Sequence, residues 1–139
     1  MGHLRLLLAD AHPNMLTAVR GLLEAKFATT VMVADEASLL DAVARVEPDL
    51  VVVDMSLPVS GNLNVVSLLF HRHPELRVIV LSVHDEPAAV SQALGAGAAG
   101  FVLKRTAAVD LSVAVDAVLR GETYVSPVLG CRPEQKTHT

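Results

Sequence analysis

Four polar residues each stand directly after an apolar run: Asp10 after Leu4 to Ala9, Asp54 after Leu50 to Val53, Ser82 after Val78 to Leu81, and Lys104 after Gly100 to Leu103. Two carboxylates, a hydroxyl and an ammonium brought to one place suit a phosphoryl group with a magnesium ion. That ion takes hard oxygen ligands, usually one or two carboxylates, and keeps several waters. In such a pocket Asp54 is the candidate nucleophile that forms an aspartyl phosphate, Ser82 donates a hydrogen bond to a phosphoryl oxygen, and Lys104 supplies fixed positive charge. Taken singly, each residue has a plainer role. Asp54 precedes Met55-Ser56-Leu57-Pro58 and suits a turn, Ser82 a loop, Lys104 a solvated strand end, and Asp10 a cap for the His12-Pro13 turn. Their joint occurrence, each directly after an apolar run, favours the pocket.

The pocket exists only if the chain brings those ends together. With Thr30 to Ala34, the apolar runs make five candidate strands, nearly all apolar instead of alternating, as in a parallel sheet covered on both faces. Helices must supply the covers. Pro13 suits a first helical position, followed by Met15, Val19, Leu22, Leu23 and Phe27 at helical spacing. Asp35 can cap a second helix carrying Leu39, Leu40, Val43 and Val46, which must stop before Pro48. Asn62 or Asn64 opens a third with Val65, Leu68 and Leu69. Asp85 precedes a short fourth, and Thr106 precedes a fifth with Leu111, Val115, Val118 and Leu119, ended by Gly121. This alternation predicts an α/β, flavodoxin-like, doubly wound five-stranded parallel sheet in the order 2-1-3-4-5 with five helices. In that architecture functional groups gather at the carboxyl ends of the strands. The domain is expected over 1–121. Residues 122–139, with Pro127, Gly130 and Pro133, read as a linker or tail with no fold of its own.

Composition narrows the classes. At 139 residues the chain can bury a core unaided, and its long apolar runs are all interrupted well short of the roughly 20 residues a membrane span needs. Met1 to Arg5 leads straight into strand pattern without a secretion-type cleavage site, so a cytoplasmic location is expected. The lone Cys131 fits a reducing compartment and is assigned no role. A net charge of −4 is the wrong sign for gripping nucleic acid, and 3% aromatic residues leave no stacking platform. No nucleic acid contact is expected from this domain.

Asp10 with His12-Pro13, Asp54-Met-Ser-Leu-Pro-Val-Ser-Gly61, Leu81-Ser-Val-His-Asp85 and Gly100-Phe-Val-Leu-Lys104 together resemble the receiver domain of two-component response regulators, specifically the NarL/FixJ-like (LuxR-type) subfamily. The match runs from about Leu4 to Gly121. The resemblance implies that a sensor histidine kinase passes a phosphoryl group to Asp54, that Ser82 and Lys104 then reposition, and that Phe101 is the switch aromatic, half buried and swinging inward. It implies a Mg2+ site at Asp10, Asp54 and the backbone carbonyl of Ser56, with a homodimer as an open second partner. In that subfamily a helix-turn-helix DNA-binding domain follows, and Gly121 to Pro127 is similar to the start of the connection; twelve further residues carry no such domain, so a fragment of a transcription regulator and a single-domain protein both stay open. One position departs: receivers usually carry two adjacent acids after the first strand, and the second position is Ala11. Losing that carboxylate weakens the expected Mg2+ site. Two accounts stay open. Either Asp10 swings into the vacancy and phosphotransfer persists, or the chain is a degenerate pseudo-receiver that acts by phosphorylation-independent protein binding.

Both accounts describe a switch and not a turnover enzyme. A flavin or nucleotide carrier shares the fold but needs a phosphate-cradling loop where His12-Pro13-Asn14 stands. Gly95-Ala-Gly-Ala-Ala-Gly100 spells a dinucleotide fingerprint yet precedes a strand, where the fingerprint must follow one. Ser82, His84 and Asp85 have hydrolase-triad types without a nucleophile elbow. His71 and His73, two apart on a helix end, do not face each other.

Overall fold

The computed structural model of the chain describes residues 4–61 and 63–127. Strands β1 (Arg5–Ala9), β2 (Thr29–Val33), β3 (Leu50–Asp54), β4 (Val78–Ser82) and β5 (Gly100–Leu103) follow the five apolar runs to within a residue at either end. Helices α1 (Pro13–Leu23), α2 (Glu36–Val46), α3 (Val65–Arg72), α4 (Pro87–Gly95) and α5 (Ala107–Leu119) connect them and close the series. Among the described residues no helix is long and apolar enough to cross a membrane.

A sixth strand, β6 (Tyr124–Val125), corrects the five-stranded expectation. The parallel sheet runs β2-β1-β3-β4-β5-β6. Tyr124 N–H donates to Ala99 O and Ser126 N–H to Phe101 O, so the segment after α5 pairs along the open edge of β5. Two residues are too short to write a period into the sequence. Their pairing follows from Ser126, which docks inside the molecule. The tail read from 122 thus supplies an edge strand, while 128–139, including Cys131, lie outside the described residues.

Side-chain alternation sets the layers. Leu7, Val51, Val53, Val80 and Phe101 point into one apolar cluster with Leu39 and Val43 of α2 and Val65, Val66 and Leu69 of α3. Leu6, Leu8, Leu50, Val52 and Val102 point into the other, with Val19 and Leu23 of α1 and Leu111, Val115 and Val118 of α5. Each fully buried Leu or Val here contributes roughly 1.5–3 kcal/mol of burial. Phe101 is fully buried, which corrects the half-buried expectation.

The helix ends follow local chemistry. Asp35 accepts from Ser38 N–H and Asn64 from Ser67 N–H, both at 2.8 Å, so Asn64 is the cap of α3; Asn62 lies outside the described residues. The first helix ends at Leu23, a 3-10 turn (Glu24–Lys26) follows, and Phe27 packs from extended backbone instead of from the helix. Leu16 takes the buried position and Leu22 stays exposed. Gly121, at φ 91°, closes α5: its N–H donates to Val118 O and that of Glu122 to Ala117 O, a pairing that requires the left-handed conformation.

Candidate functional site

The register places the ends of β1, β3, β4 and β5 at one edge: Ala9 pairs with Val53, Asp54 with Leu81, and Ser82 with Leu103. Parity then separates the four functional residues. Asp10, Asp54 and Lys104 continue the alternation of the positions that face α1 and α5, whereas Ser82 continues the other. Asp54 therefore has Lys104 and Asp10 on one side and Ser82 across a cleft on the other. That cleft, of about 210 Å3, is lined by Asp54, Ser56, Asn64, Ser82 and Gln92 among others.

Asp10 and Asp54 are 3% and 2% exposed. Lys104 Nζ lies 3.4 Å from Asp10 Oδ2 and 3.2 Å from Asp54 Oδ2. Two buried carboxylates facing one ammonium leave one negative charge over, and an uncompensated buried charge is costly. The carboxylate oxygens divide the work. Asp10 Oδ1 accepts from His12 N–H at 2.8 Å, a turn contact ahead of α1, whose N-cap is His12 and not the anticipated Asp10. Asp10 Oδ2 has no hydrogen-bond partner among the described residues. Asp54 Oδ1 accepts from Ser56 N–H at 3.1 Å and from Ser56 Oγ at 3.0 Å. These bonds hold the Asp54 carboxylate in the cleft.

His12 is the residue that sequence reasoning passed over. Its Nδ1 lies 2.8 Å from Asp10 Oδ1 and 3.9 Å from Asp54 Oδ2. Asp10, His12 and Asp54 form a group of metal-ligating side chains whose donor atoms all lie within 4.8 Å of one another. The spacing Asp-x-His was the available signal, overshadowed by the turn that Pro13 implies. A buried carboxylate oxygen without a hydrogen bond beside further donors fits a divalent cation, so the residues present suit the Mg2+ expected at this edge.

Ser82 Oγ accepts from His84 N–H at 2.9 Å and sits 3.2 Å from His84 O. The hydroxyl is tied to the β4–α4 loop, and the His84 ring instead approaches Glu86 at 3.8 Å, so no triad geometry forms. Neither His71 nor His73 belongs to a group of three metal ligands among the described residues. Gly95 to Gly100 is the end of α4 and a turn, as its place before β5 required. A larger cavity, of about 530 Å3, is lined by Glu47, Asp49, His73, Glu75 and Arg77 near the amino ends of β3 and β4, at the opposite end of the sheet from Asp54.

Asp110, on α5, forms a second buried polar group. Its Oδ2 accepts from Thr106 Oγ1 at 2.6 Å and Ser126 Oγ at 2.8 Å, and its Oδ1 from Tyr124 OH at 3.4 Å. Ser126 Oγ also accepts from Leu103 N–H, one residue before Lys104. Burial, with the Asp110 carboxylate beside it, raises the Tyr124 phenol above its ordinary range.

Residues 6–116 match the family described as the response regulator receiver domain. The chain is 29% identical over 126 residues to the transcriptional regulatory protein DegU of Brevibacillus brevis, covering 89% of this chain and 53% of that protein. It is 31% identical over 127 residues to the transcriptional regulatory protein MctR of Rhizobium johnstonii, covering 88% and 58%. The chain thus spans a little over half the length of these curated relatives. Among solved structures it is similar to a two-component response regulator of the LuxR family from Aurantimonas sp. SI85-9A1, with a TM-score of 0.87 and 26% identity over 99% of this chain and 100% of that one.

Proposed function

Since the chain belongs to the response regulator receiver domain family, we propose that it accepts a phosphoryl group on Asp54 from a sensor histidine kinase and thereby switches a protein-interaction face. In this transfer the phosphorus–nitrogen bond of a kinase phosphohistidine breaks and a bond from phosphorus to an Asp54 carboxylate oxygen forms. The observation that carries the reading is Asp54 lining a cleft with Lys104 at 3.2 Å on one side and Ser82 lining the other. Lys104 balances phosphoryl charge, and Ser82, released from its loop contacts, donates to a phosphoryl oxygen. Asp10, Asp54 and the Ser56 carbonyl would hold Mg2+, whose contribution is neutralisation of the carboxylate and phosphoryl charge. With Ala11 in place of an acid, that site is weak.

Downstream, Phe101 sits on β5 three residues before Lys104, so movement of Ser82 and Lys104 reaches the β5 face. Val109 and Val113, exposed one turn apart on α5, offer an apolar surface suited to a homodimer. The net charge of −4 supports a domain that leaves DNA contact to other parts of a transcription regulator.

The pseudo-receiver reading rests on its own observation. Lys104 pairs with both carboxylates, so part of the charge that a cation would balance is already balanced with no acid at position 11. Intact mass after incubation with acetyl phosphate and Mg2+ separates the two. One phosphoryl mass gained by the chain and absent from Asp54→Ala supports phosphotransfer. No gain at high donor and Mg2+, and none with a cognate kinase, leaves the pseudo-receiver.

A further inference from the structure

The pocket lacks the acid that would make it a site of oxygen donors only, and an imidazole stands one residue further along the same turn. We propose that His12 is a direct metal donor and that, with Asp10 and Asp54, it makes this pocket a mixed nitrogen–oxygen site selective for borderline divalent transition ions such as Co2+ and Zn2+ over Mg2+. The inference rests on the reading that this pocket takes a divalent cation.

Three observations support it. First, the donor atoms are close enough to converge on one ion. Donors about 2.1 Å from a common ion lie about 3.4 Å apart in the tetrahedral arrangement usual for Zn2+ and about 3 Å apart when adjacent in an octahedral one. His12 Nδ1 is 2.8 Å from Asp10 Oδ1 and 3.9 Å from Asp54 Oδ2, and the set closes within 4.8 Å. Second, Asp10 Oδ2, the second oxygen of the carboxylate whose Oδ1 faces His12, is buried and makes no hydrogen bond among the described residues, its charge met only by Lys104 at 3.4 Å. Third, His12 is exposed, so its ring can turn its lone pair to an ion at little cost. On binding, Nδ1 gives its lone pair to the ion and the ring carries its single proton on Nε2.

The plainer role of His12 is to fix the Asp10 turn. Its backbone N–H already does that at 2.8 Å, so the ring contact is not needed for it. A neutral nitrogen donor also has a predictable signature. Imidazole suits Zn2+, Co2+ and Ni2+ and adds little for Mg2+, which prefers carboxylate, carbonyl and water.

The test is calorimetric titration of the whole chain with Co2+, Zn2+ and Mg2+, without a phosphodonor, on the wild type, His12→Ala, His12→Gln and Asp54→Asn. The Co2+ visible spectrum reports nitrogen ligation directly. The expected result is Co2+ and Zn2+ binding at least about tenfold tighter than Mg2+, falling about tenfold in both His12 variants while Mg2+ affinity changes less than about threefold. Asp54→Asn should abolish the same site. Unchanged Co2+ affinity in the His12 variants, or a site that persists in Asp54→Asn and so belongs to surface imidazoles, overturns the proposal. Acetyl phosphate labelling with Mg2+ is measured separately, so a chain that labels but shows no His12-dependent Co2+ site refutes this inference and leaves the phosphotransfer reading intact.

Discussion

Ser126 Oγ donates a 2.8 Å hydrogen bond to Asp110 Oδ2 and accepts one of 3.0 Å from Leu103 N–H, so one fully buried hydroxyl ties α5, β5 and the segment after α5 together. Leu103 is followed directly by Lys104, which reaches the two carboxylates of the pocket. The chain leaving the domain is therefore fastened next to the strand that carries the pocket's ammonium.

Removing that hydroxyl strands two groups at once. Ser126→Ala leaves Leu103 N–H without an acceptor and takes one of the bonds from buried Asp110. An unsatisfied buried group costs about 1–3 kcal/mol, and urea unfolding should show a loss of that size with an unchanged slope.

Tyr124 is the chain's single tyrosine, so its titration can be read by absorbance without assignment. Burial, then the Asp110 carboxylate, raises its phenol above the ordinary value of about 10. A raised folded-state value means the folded chain holds the proton longer than the unfolded one. This contribution to stability is intact below the unfolded value and is lost as pH rises through the folded one. We expect an alkaline midpoint that falls on unfolding in urea, and a shallower alkaline loss of stability in Tyr124→Phe.

Gly97 has φ 116°, and a Cβ there would meet the Phe70 ring at 2.6 Å. Gly97→Ala should cost at least about 2 kcal/mol, combining backbone strain with the clash. Phe70 is 45% exposed, so Phe70→Ala alone should cost little. The double variant should recover the steric part and retain the backbone part, a coupling that a double-mutant cycle in thermal unfolding measures.

Ala11 is exposed at the carboxyl end of β1. Ala11→Asp adds a carboxylate where the pocket has Asp10 and Asp54 facing one ammonium, and should tighten Mg2+ on the order of tenfold by calorimetry. Under the phosphotransfer reading it should also raise the rate of labelling by acetyl phosphate. Equal Mg2+ affinity in the two proteins would show that position 11 does not face the ion.

The strand runs, the cap at Asp35, the stop before Pro48 and the four residues at the strand ends were legible from the chain, because each depends on a residue and its near neighbours, whereas the chain left the cap of α3 open between Asn62 and Asn64. Parallel strands buried on both faces write continuous apolar runs, and the first polar residue after each run must lie at the sheet edge. The tertiary structure decided what depends on distant partners. Register and parity placed Lys104 with Asp10 and Asp54 and set Ser82 across the cleft from them. The β6 pairing needed Asp110 to receive Ser126, sixteen residues away, and His12 gained its second carboxylate only when β3 was laid beside β1. Local propensity acts through neighbours in sequence, whereas a buried carboxylate finds its partners through the packing of the whole sheet.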